Sequence, residues 1–438
     1  MQREMIKVGM VSLGCAKNLV DSEVMLGLMR DQGYTLTTDP AEADVIVINT
    51  CTFIEAATSE AIESILEMAR YKKCGRCRSL VVAGCMGTRY AGQLLDEFPE
   101  VDAVIGSGEV PKIVAVMERA LSGERFAAVG TPTFIYDDTW PRVLATPTHT
   151  AFVKIAEGCN HRCSYCVIPQ VRGAYRSRSL SSTVAETKQL VAGGAKEIIL
   201  IAQDTTLYGR DRYGRVRLAE LLERLADIEQ LHWLRLLYSY PDHLTDDVLR
   251  AMANRSNICK YVDLPLQHVS PSVLRGMRRR GDYATLSRLV DRVRELVPGV
   301  VVRTSMIVGF PGETQHDFDE LCRFLNEKRL EHVGVFSYSR EEGSPAAALP
   351  GQIPEEVKEE RRRLAMELQR VISREKNAEL VGEAVDVLVD RPGVGRTACQ
   401  APEVDGVSRI RGRSPHPGEM VRTRVVAASD YDLAVEVV

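Results

Sequence analysis

Three cysteines stand at C-x3-C-x2-C spacing in the segment Cys159-Asn-His-Arg-Cys163-Ser-Tyr-Cys166, directly after a strand-like run at residues 152–156. Three thiolates in one short loop can bind three irons of a four-iron cluster and leave the fourth iron open. A structural zinc site would instead favour cysteine pairs and four closed ligands. The segment therefore predicts an iron–sulfur cluster with one open coordination position, in which Cys159, Cys163 and Cys166 are the catalytic ligands.

The cysteine segment lies at the start of a repeating α/β pattern. Strand-like runs alternate with helical segments at residues 151–156, 197–202, 233–238, 261–264, 301–308 and 333–338. Six units are fewer than the eight of a closed barrel, so the pattern predicts an α/β fold with a partial (β/α)6 barrel. In such barrels the functional loops follow the carboxyl ends of the strands, which is where the three cysteines fall.

Three further cysteines, Cys15, Cys51 and Cys85, each directly follow a predicted strand within the first 125 residues. The β-rich runs there lie at 6–13, 45–49, 80–83 and 101–105, and helical stretches lie at 18–30 and 56–71. This alternation predicts a parallel α/β sheet, whose strands end at one shared edge. We therefore predict a second iron–sulfur site with three thiol ligands and one open iron. The alternative is three buried structural cysteines.

Five other cysteines carry weaker signals. Cys74 and Cys77 form a C-x2-C pair in a basic loop before a strand. They could bind metal, undergo redox chemistry or be structural, and their role stays open. Cys259, Cys322 and Cys399 are isolated, and we expect them to be packing residues.

The last part of the chain has a different character. A polar stretch at 131–150 is typical of a linker, and a charged helix is predicted at 354–374. Short β-branched runs separated by Gly, Pro and Asp follow at 384–389, 420–427 and 433–438, and they predict a small all-β barrel. We expect three domains, an N-terminal one at residues 1–125, a central one at 145–375 and the all-β barrel at 376–438.

Composition limits the class of protein. Of the 438 residues, 45% are hydrophobic and 26% charged, which is the profile of a globular protein. A net charge of −4 gives no global attraction to nucleic acid or membrane. The sequence has no apolar run of about 18–20 residues that would cross a bilayer. Its first residues lead directly into a strand-like run, so we expect no signal peptide. We expect a cytoplasmic protein with no membrane partner, in which cysteines bind metal rather than form disulfides.

Together these residues resemble the methylthiotransferase family of the radical S-adenosylmethionine superfamily over essentially the whole chain. The segment Ser12-Leu-Gly-Cys15-Ala-Lys-Asn18, followed by Asp21-Ser-Glu23, resembles the branch that modifies ribosomal protein S12. The tail resembles a TRAM domain. Further segments of the same kind are Ile168-Pro-Gln-Val-Arg-Gly173, Asp263-Leu-Pro-Leu-Gln-His268 and Arg303-Thr-Ser-Met-Ile-Val-Gly-Phe-Pro-Gly-Glu313.

The resemblance implies two 4Fe-4S clusters and S-adenosylmethionine as cofactors. The cluster on Cys159, Cys163 and Cys166 would generate a 5′-deoxyadenosyl radical that abstracts hydrogen from an unactivated carbon. The cluster on Cys15, Cys51 and Cys85 would present a methylated sulfur species. The acceptor would be the β-carbon of an aspartate of ribosomal protein S12, free or in the small subunit, giving 3-methylthio-aspartate. Further cofactor contacts are expected at Gly193, Gly194, Gln203 and Arg303.

The partners expected with these cofactors are an electron donor such as flavodoxin or ferredoxin and a sulfur donor, and we expect a monomer. Arginines at 172, 176 and 178 and at 275 and 278–280 could hold a carboxylate, contact ribosomal RNA or face solvent. His268, beside the predicted cofactor edge, could be catalytic or a structural hydrogen-bonding residue.

Two alternatives remain. A tRNA adenosine methylthiotransferase should have a basic tail that neutralises phosphates, whereas residues 376–438 contain eight Lys and Arg against ten Asp and Glu. Acidic positions such as Glu403, Asp405, Asp430 and Asp432 favour a basic partner. A non-catalytic electron-transfer or scaffold protein would need no open iron, whereas both cysteine sets stop at three.

Overall fold

The N-terminal part of the chain forms a six-stranded parallel sheet in the computed structural model, which describes residues 6–412 and 415–438. The strand order is β2-β1-β3-β4-β5-β6. The strands are β1 (Lys7–Ser12), β2 (Thr35–Thr37), β3 (Val45–Thr50), β4 (Ser79–Gly84), β5 (Ala103–Gly106) and β6 (Phe126–Ala128). The helices are α1 (Ala16–Asp31), α2 (Glu55–Ala69), α3 (Tyr71–Cys74), α4 (Cys85–Glu97) and α5 (Ile113–Leu121).

Both faces of this sheet are covered by helices. Apolar residues of α1 and α5 pack on one face, and those of α2 and α4 pack on the other. Strands β3 and β4 are therefore buried along their whole length, as expected for central parallel strands. The four predicted strands are confirmed. Two edge strands, β2 and β6, were not predicted because each has three residues and neither shows an alternating apolar pattern.

The central part of the chain is a partial barrel of six parallel strands. Its strands are β7 (Thr150–Lys154), β10 (Glu197–Ile201), β11 (Trp233–Leu236), β12 (Tyr261–Asp263), β13 (Val301–Val308) and β14 (His332–Ser337). They form two three-stranded sheets, and a parallel bridge between Leu234 and Ile258 connects the edges of β11 and β12. The six predicted units are confirmed as an open barrel.

Helices follow the barrel strands, and a short hairpin flanks the cysteine loop. The hairpin consists of β8 (Ala156–Glu157) and β9 (Arg176–Ser177), which pair in an antiparallel manner and enclose residues 158–175. The helices are α6 (Ile168–Arg172), α7 (Leu180–Ala192), α8 (Arg210–Tyr213), α9 (Leu218–Ala226), α10 (Asp246–Asn254), α11 (Pro271–Gly276), α12 (Tyr283–Leu296), α13 (Gln315–Lys328) and α14 (Glu355–Glu379).

A closed five-stranded barrel ends the chain, with strand order β15-β16-β17-β19-β18. Its strands are β15 (Ala384–Arg391), β16 (Val394–Thr397), β17 (Ser408–Arg411), β18 (Met420–Ala428) and β19 (Leu433–Val437). The predicted all-β barrel is confirmed. Strands β16 and β17 were not predicted, because their arginines and short length hide the apolar pattern. Among the described residues, no helix has the length and hydropathy needed to span a membrane.

A buried ion network joins the C-terminal barrel to the central one. The carboxylate of Glu197 on β10 is 2.8 Å from Arg235 Nε and 2.8 Å from Arg396 Nη1, and its side chain is fully buried. Arg396 on β16 also pairs with Asp390 at 2.8 Å. Because each charge has a partner, the network fixes the two barrels against each other without leaving a buried charge unpaired.

Replacement of Glu197 by glutamine is expected to lower the free energy of unfolding by about 3–5 kcal/mol, the range found when one partner of a buried ion pair is removed. Both arginines would then remain buried without a carboxylate. Chemical unfolding followed by tryptophan fluorescence measures this effect, since Trp233 is the strand neighbour of Glu197. The control is Glu124→Gln, which removes an exposed pair with Arg119 and should leave the midpoint unchanged. A parental midpoint for Glu197→Gln contradicts the role of the network.

Candidate active site at two cysteine triads

The structure brings the first cysteine triad together at the carboxyl edge of the N-terminal sheet. Cys15 directly follows the loop after β1, Cys51 follows β3, and Cys85 is the first residue of α4 after β4. Burial raises the pKa of the Cys85 thiol to about 12, Arg172 opposes this, and the charges of Cys51 and Cys15 add to it. Cys51 lies beside Gly14, the residue before Cys15, and Cys85 Sγ lies 3.9 Å from Asn18 Oδ1 on the helix that begins after Cys15, so the three thiols adjoin one pocket.

Two glycines allow these loops to approach closely. Gly14 has φ +85°, and a Cβ there would lie 2.5 Å from Cys51 Cβ and 3.0 Å from Cys51 Sγ. Gly84 has φ +93° and precedes Cys85 at the start of α4. A side chain at Gly14 would fill the space beside the Cys51 thiol, and one at Gly84 would clash with Asn49 Oδ1 and Thr50 O of β3. Glycine at both positions therefore lets the strand ends that carry the cysteines pack closely. The repeated Gly-Cys pair is a sequence signal that the strand-end argument overlooked.

The second triad lies in the loop enclosed by β8 and β9, at the carboxyl end of β7. Burial, with a smaller contribution from the charge of Cys163, raises the pKa of Cys159 and of Cys166 to about 12. The loop is held by its backbone, since Cys159 N donates to Gly173 O (3.1 Å) and Cys166 N donates to Cys163 O (3.2 Å). The donor set, one buried thiol (Cys163) flanked by two half-buried ones in a single loop, fits a four-iron cluster with one open iron.

One arginine of the predicted basic run lies at this second triad. Arg279 is buried, and its Nη1 is 4.0 Å from Cys163 Sγ and 3.5 Å from the Tyr165 hydroxyl. Its guanidinium also lies over the Tyr240 ring, 4.4 Å from the centroid. The burial of this cation next to a thiol shows that Arg279, unlike a solvated member of the run, contributes to the field at the cluster site.

His161, between Cys159 and Cys163, anchors the loop to the barrel. Its Nε2 is 2.7 Å from Asp204 Oδ2, and His243 Nδ1 is 3.5 Å from the same oxygen. Burial would raise the pKa of Asp204, but hydrogen bonds, first from His161, outweigh it and lower the pKa to about 2. One ring nitrogen of His161, one ring nitrogen of His243 and one carboxylate oxygen of Asp204 lie within 4.8 Å of one another, so the three residues could hold a metal ion. We interpret these three residues as an anchor for the cysteine loop rather than as a metal site, because the 2.7 Å distance between His161 Nε2 and Asp204 Oδ2 is that of an ordinary charge-assisted hydrogen bond.

Comparison with known proteins identifies the family. Three family profiles match this chain: uncharacterized protein family UPF0004 at residues 7–106, the radical SAM superfamily at 153–325 and the TRAM domain at 381–438. The chain is 51% identical to the ribosomal protein uS12 methylthiotransferase RimO of Heliobacterium modesticaldum, over 99% of this chain and 95% of that protein. It is 47% identical to the protein of the same name from Geobacter sulfurreducens, over 99% and 98%. The chain belongs to the RimO family.

Solved structures agree on the fold. The radical S-adenosylmethionine methyltransferase TsrM from Kitasatospora setae has a TM-score of 0.55 at 17% identity, over 76% of this chain and 73% of that one. The cobalamin-dependent S-adenosylmethionine radical enzyme OxsB has a TM-score of 0.51 at 12% identity, over 84% and 56%. Membership of the RimO family, together with the radical SAM match, shows that the chain is a radical S-adenosylmethionine enzyme that transfers a sulfur-containing group. Its predicted cofactors, S-adenosylmethionine and 4Fe-4S clusters, are confirmed by family membership.

The other predicted cofactor residues fall in different places. Gln203 lies on the edge of the cysteine loop, where its Nε2 donates to Glu157 Oε1 (2.6 Å). Gly193 and Gly194 follow α7 and precede β10, so they lie at the opposite, amino edge of the strands. Gln203 follows β10 on the carboxyl side, and its predicted contact with the cofactor stays a prediction. The positions of Gly193 and Gly194 do not agree with such a contact, because only loops after the strands reach the cluster edge.

Two more predicted residues are engaged in contacts of their own. Arg303, predicted to bind cofactor, pairs with Asp263 at 3.0 Å and lies 3.7 Å from Asp405 of the C-terminal barrel. The two carboxylates neutralise the charge of the Arg303 guanidinium, so its position is explained without a contact to the cofactor. His268 is buried, its Nδ1 accepts from Ser270 N (3.0 Å), and burial lowers its pKa to about 4. The contacts favour a structural role for His268.

Cys74 and Cys77 lie away from both triads. They belong to the segment that ends α3 and leads into β4, at the amino edge of the sheet. Cys74 is exposed, and Cys77 is buried with its thiol donating to Ser79 O (3.3 Å). Burial raises the pKa of Cys77 to about 11, so its thiol stays protonated at neutral pH. These contacts favour a structural role for Cys77.

Buried charges fill the space between the two triads. Arg172, on α6 just after the second triad, donates from Nε to Cys85 Sγ of the first triad (3.3 Å). Lys154 on β7 pairs with Glu157 at 2.5 Å and also with Asp21 of α1. Residues of the N-terminal sheet and of the central barrel thus share one polar interior. The sequence does not reveal it, because the Arg172–Cys85 and Lys154–Asp21 contacts that join the two parts span 87 and 133 positions.

Proposed function

We propose that this enzyme transfers a methylthio group to the β-carbon of an aspartate of ribosomal protein uS12. The observation that carries the proposal is the pair of cysteine triads, each with three thiols at the carboxyl edge of a parallel sheet and both adjoining one buried polar interior. The relatives named for action on uS12 match almost the entire chain. As part of the proposal, the chain is divided into domains at 1–125, 145–375 and 376–438.

The triads would have different tasks. Cys159, Cys163 and Cys166 would hold the cluster that binds S-adenosylmethionine, and Cys15, Cys51 and Cys85 would hold the cluster that provides sulfur. When bound, these cofactors supply the radical chemistry and the sulfur. The chain itself supplies positions and charges. Gln203 would orient Glu157 beside the second triad, and Arg279 would place a positive charge next to Cys163.

The chain also keeps water away from the reacting groups. Cys51 and Cys163 are each 8% exposed, and Cys85 is 6% exposed. Cys85 packs against Val167 and Val171 of the segment that carries the second triad. This apolar contact shields the Cys85 side of the first triad, and exclusion of water protects a reactive radical from side reactions.

One of the acidic residues of the tail that we expected to face a basic partner, Asp405, is buried between the two barrels. Asp405 accepts a hydrogen bond from Tyr261 (2.6 Å), and its side chain is 2% exposed. It therefore belongs to the interface between the barrels and is not available to a partner. Glu403 is exposed, while Asp430 and Asp432 are near Arg370 and Arg409. The tail remains acidic in total, but fewer of its carboxylates can face a basic protein.

Further partners follow from the proposed chemistry. Cleavage of S-adenosylmethionine needs an electron donor such as flavodoxin or ferredoxin, and replacement of the transferred sulfur needs a sulfur donor. Ribosomal protein uS12 would be met either free or in the small subunit, in the cytoplasm. We propose that the enzyme acts as a monomer, since both triads belong to one chain.

Mass spectrometry of ribosomal proteins tests the substrate. In a strain that lacks this gene, uS12 should be lighter by one methylthio group, and fragmentation should place the difference on an aspartate. Expression of the parent enzyme should restore the heavier mass, whereas a variant without Cys51 should not. An unchanged uS12 mass together with loss of a methylthiolated tRNA adenosine would replace this proposal by the tRNA function.

A further inference from the structure

Arg172 makes the most direct contact between the two cysteine sites. It is the last residue of α6, the helix that follows the loop with the second triad. Its side chain is 3% exposed. From there Nε donates to Cys85 Sγ of the first triad at 3.3 Å. Arg172 therefore links the two sites, since its backbone belongs to the segment of the second triad and its guanidinium contacts Cys85 of the first triad.

The remaining donors of Arg172 are also directed into the N-terminal sheet. Nη1 pairs with Asp21 Oδ2 at 2.5 Å, and Nη2 donates to Asn18 Oδ1. Asn18 in turn donates to Thr50 O (2.8 Å), one residue before Cys51. Helix α1 thus binds both Nη groups of Arg172, and Nε points to the Cys85 thiol.

The buried carboxylates near Arg172 are already neutralised by cations, without any contribution from the thiols. Lys154 pairs with Asp21 and with Glu157, and Glu157 lies 3.6 Å from Arg172. Two cations thus face two carboxylates. Lys17 of α1, two residues after Cys15, adds a third buried cation, with its Nζ over the Tyr238 ring. Thiolates at the first triad therefore meet a preformed positive potential.

We propose that Arg172 is a positioning residue for the cluster on Cys15, Cys51 and Cys85. Its N–H donates to the Cys85 thiolate, which raises the reduction potential of that cluster and strengthens the hold on its iron. Because Arg172 extends from α6, it also fixes the first cluster relative to the second. The proposal rests on the assignment of a cluster to this triad under the proposed function. Its physical basis is that hydrogen bonds to cluster sulfurs and local charge set reduction potentials.

The test uses two full-length proteins with one site each. In the first, Cys159, Cys163 and Cys166 are replaced by alanine. In the second, Cys15, Cys51 and Cys85 are replaced by alanine. Each is reconstituted anaerobically with iron and sulfide, and its cluster is titrated with reductant under electron paramagnetic resonance. Release of iron to a chelator is followed separately, so neither readout depends on methylthiolation of uS12.

In the protein that keeps only the first triad, Arg172→Met should shift the reduction potential to a more negative value. Its iron affinity should fall by about 10- to 100-fold, as for other groups that hydrogen-bond to metal ligands. Arg172→Lys keeps the charge and should give an intermediate shift, and it provides a folded variant if the methionine protein does not fold. The control is Arg176→Met, whose guanidinium donates to Phe134 O (2.8 Å) and which should leave the potential unchanged.

The same substitutions in the protein that keeps only the second triad should leave its potential unchanged. If Arg172→Lys and Arg172→Met both keep the parental potential and iron release in the first protein, the inference is wrong although the cluster assignment stands. Equal shifts in both proteins would mean a general structural effect and would also overturn it. If the first protein binds no iron at all, the cluster assignment in the proposed function fails, and the inference fails with it.

Discussion

Replacement of Cys163 by alanine should abolish the release of 5′-deoxyadenosine from S-adenosylmethionine. Cys163 is the central ligand of the second triad and is 8% exposed, so no other thiol or water can easily take its place. Two thiolates, Cys159 and Cys166, would remain to hold a cluster that needs three. Arg279 would also lose the thiolate beside it. Chromatography of anaerobic reactions with a strong reductant measures the product directly.

The matched control is Cys322→Ala. Cys322 lies on α13 and packs against the core of the central barrel, away from the cysteine loop. It should keep the iron content and the rate of 5′-deoxyadenosine release of the parent. Parental release by the Cys163 variant would show that this loop does not carry the catalytic cluster, and the radical chemistry would have to be assigned elsewhere.

The sequence was sufficient for the features that local patterns encode. Each cysteine of the first triad follows a run of apolar residues that fills a central strand, and a parallel sheet brings such strand ends to one edge. The placement of Cys15, Cys51 and Cys85 follows from these two facts. The spacing of Cys159, Cys163 and Cys166 is even more local, because all three lie within one loop.

The sequence was not sufficient for contacts between distant segments. Arg172 and Arg279 were each one member of a basic group that could equally have faced solvent. Burial distinguishes them, and burial depends on Asp21, Tyr240 and other partners that no spacing identifies. The same holds for Arg303, whose partner Asp405 is in the C-terminal barrel.

The two glycines before β10 show a different limit. Gly193 and Gly194 were assigned to the cofactor because they adjoin a barrel strand. Proximity along the sequence does not distinguish the two ends of a strand, although only the carboxyl end reaches the cluster. The structure places both glycines after α7, where Gly194 with φ +108° ends the helix turn. A glycine at that position terminates a helix, which is its ordinary role.

Replacement of Cys51 by alanine should stop methylthiolation of uS12 while 5′-deoxyadenosine release continues. Cys51 belongs to the first triad and lies next to Gly14. Within the part of the chain that the structure describes, it makes no hydrogen bond to the loop of the second triad. Its loss leaves Cys15 and Cys85 unable to hold a cluster with three ligands, so the site that would provide sulfur is removed. The second triad and Arg279 remain intact, so cleavage of S-adenosylmethionine without sulfur transfer is the expected result.

The matched control is Cys77→Ala, another buried cysteine of the N-terminal sheet but at its opposite edge. It should keep both 5′-deoxyadenosine release and methylthiolation, measured by mass spectrometry of uS12 in the same reaction. Both the Cys51 and the Cys77 variant lose a buried thiol of the same sheet, but only Cys51 is a proposed cluster ligand. A difference between the two variants therefore reports the loss of a ligand and not a general disturbance of the sheet. Methylthiolation by the Cys51 variant at the rate of the Cys77 variant would show that the enzyme needs only one cluster. Loss of both activities in the Cys51 variant would instead show that the two sites cannot be uncoupled.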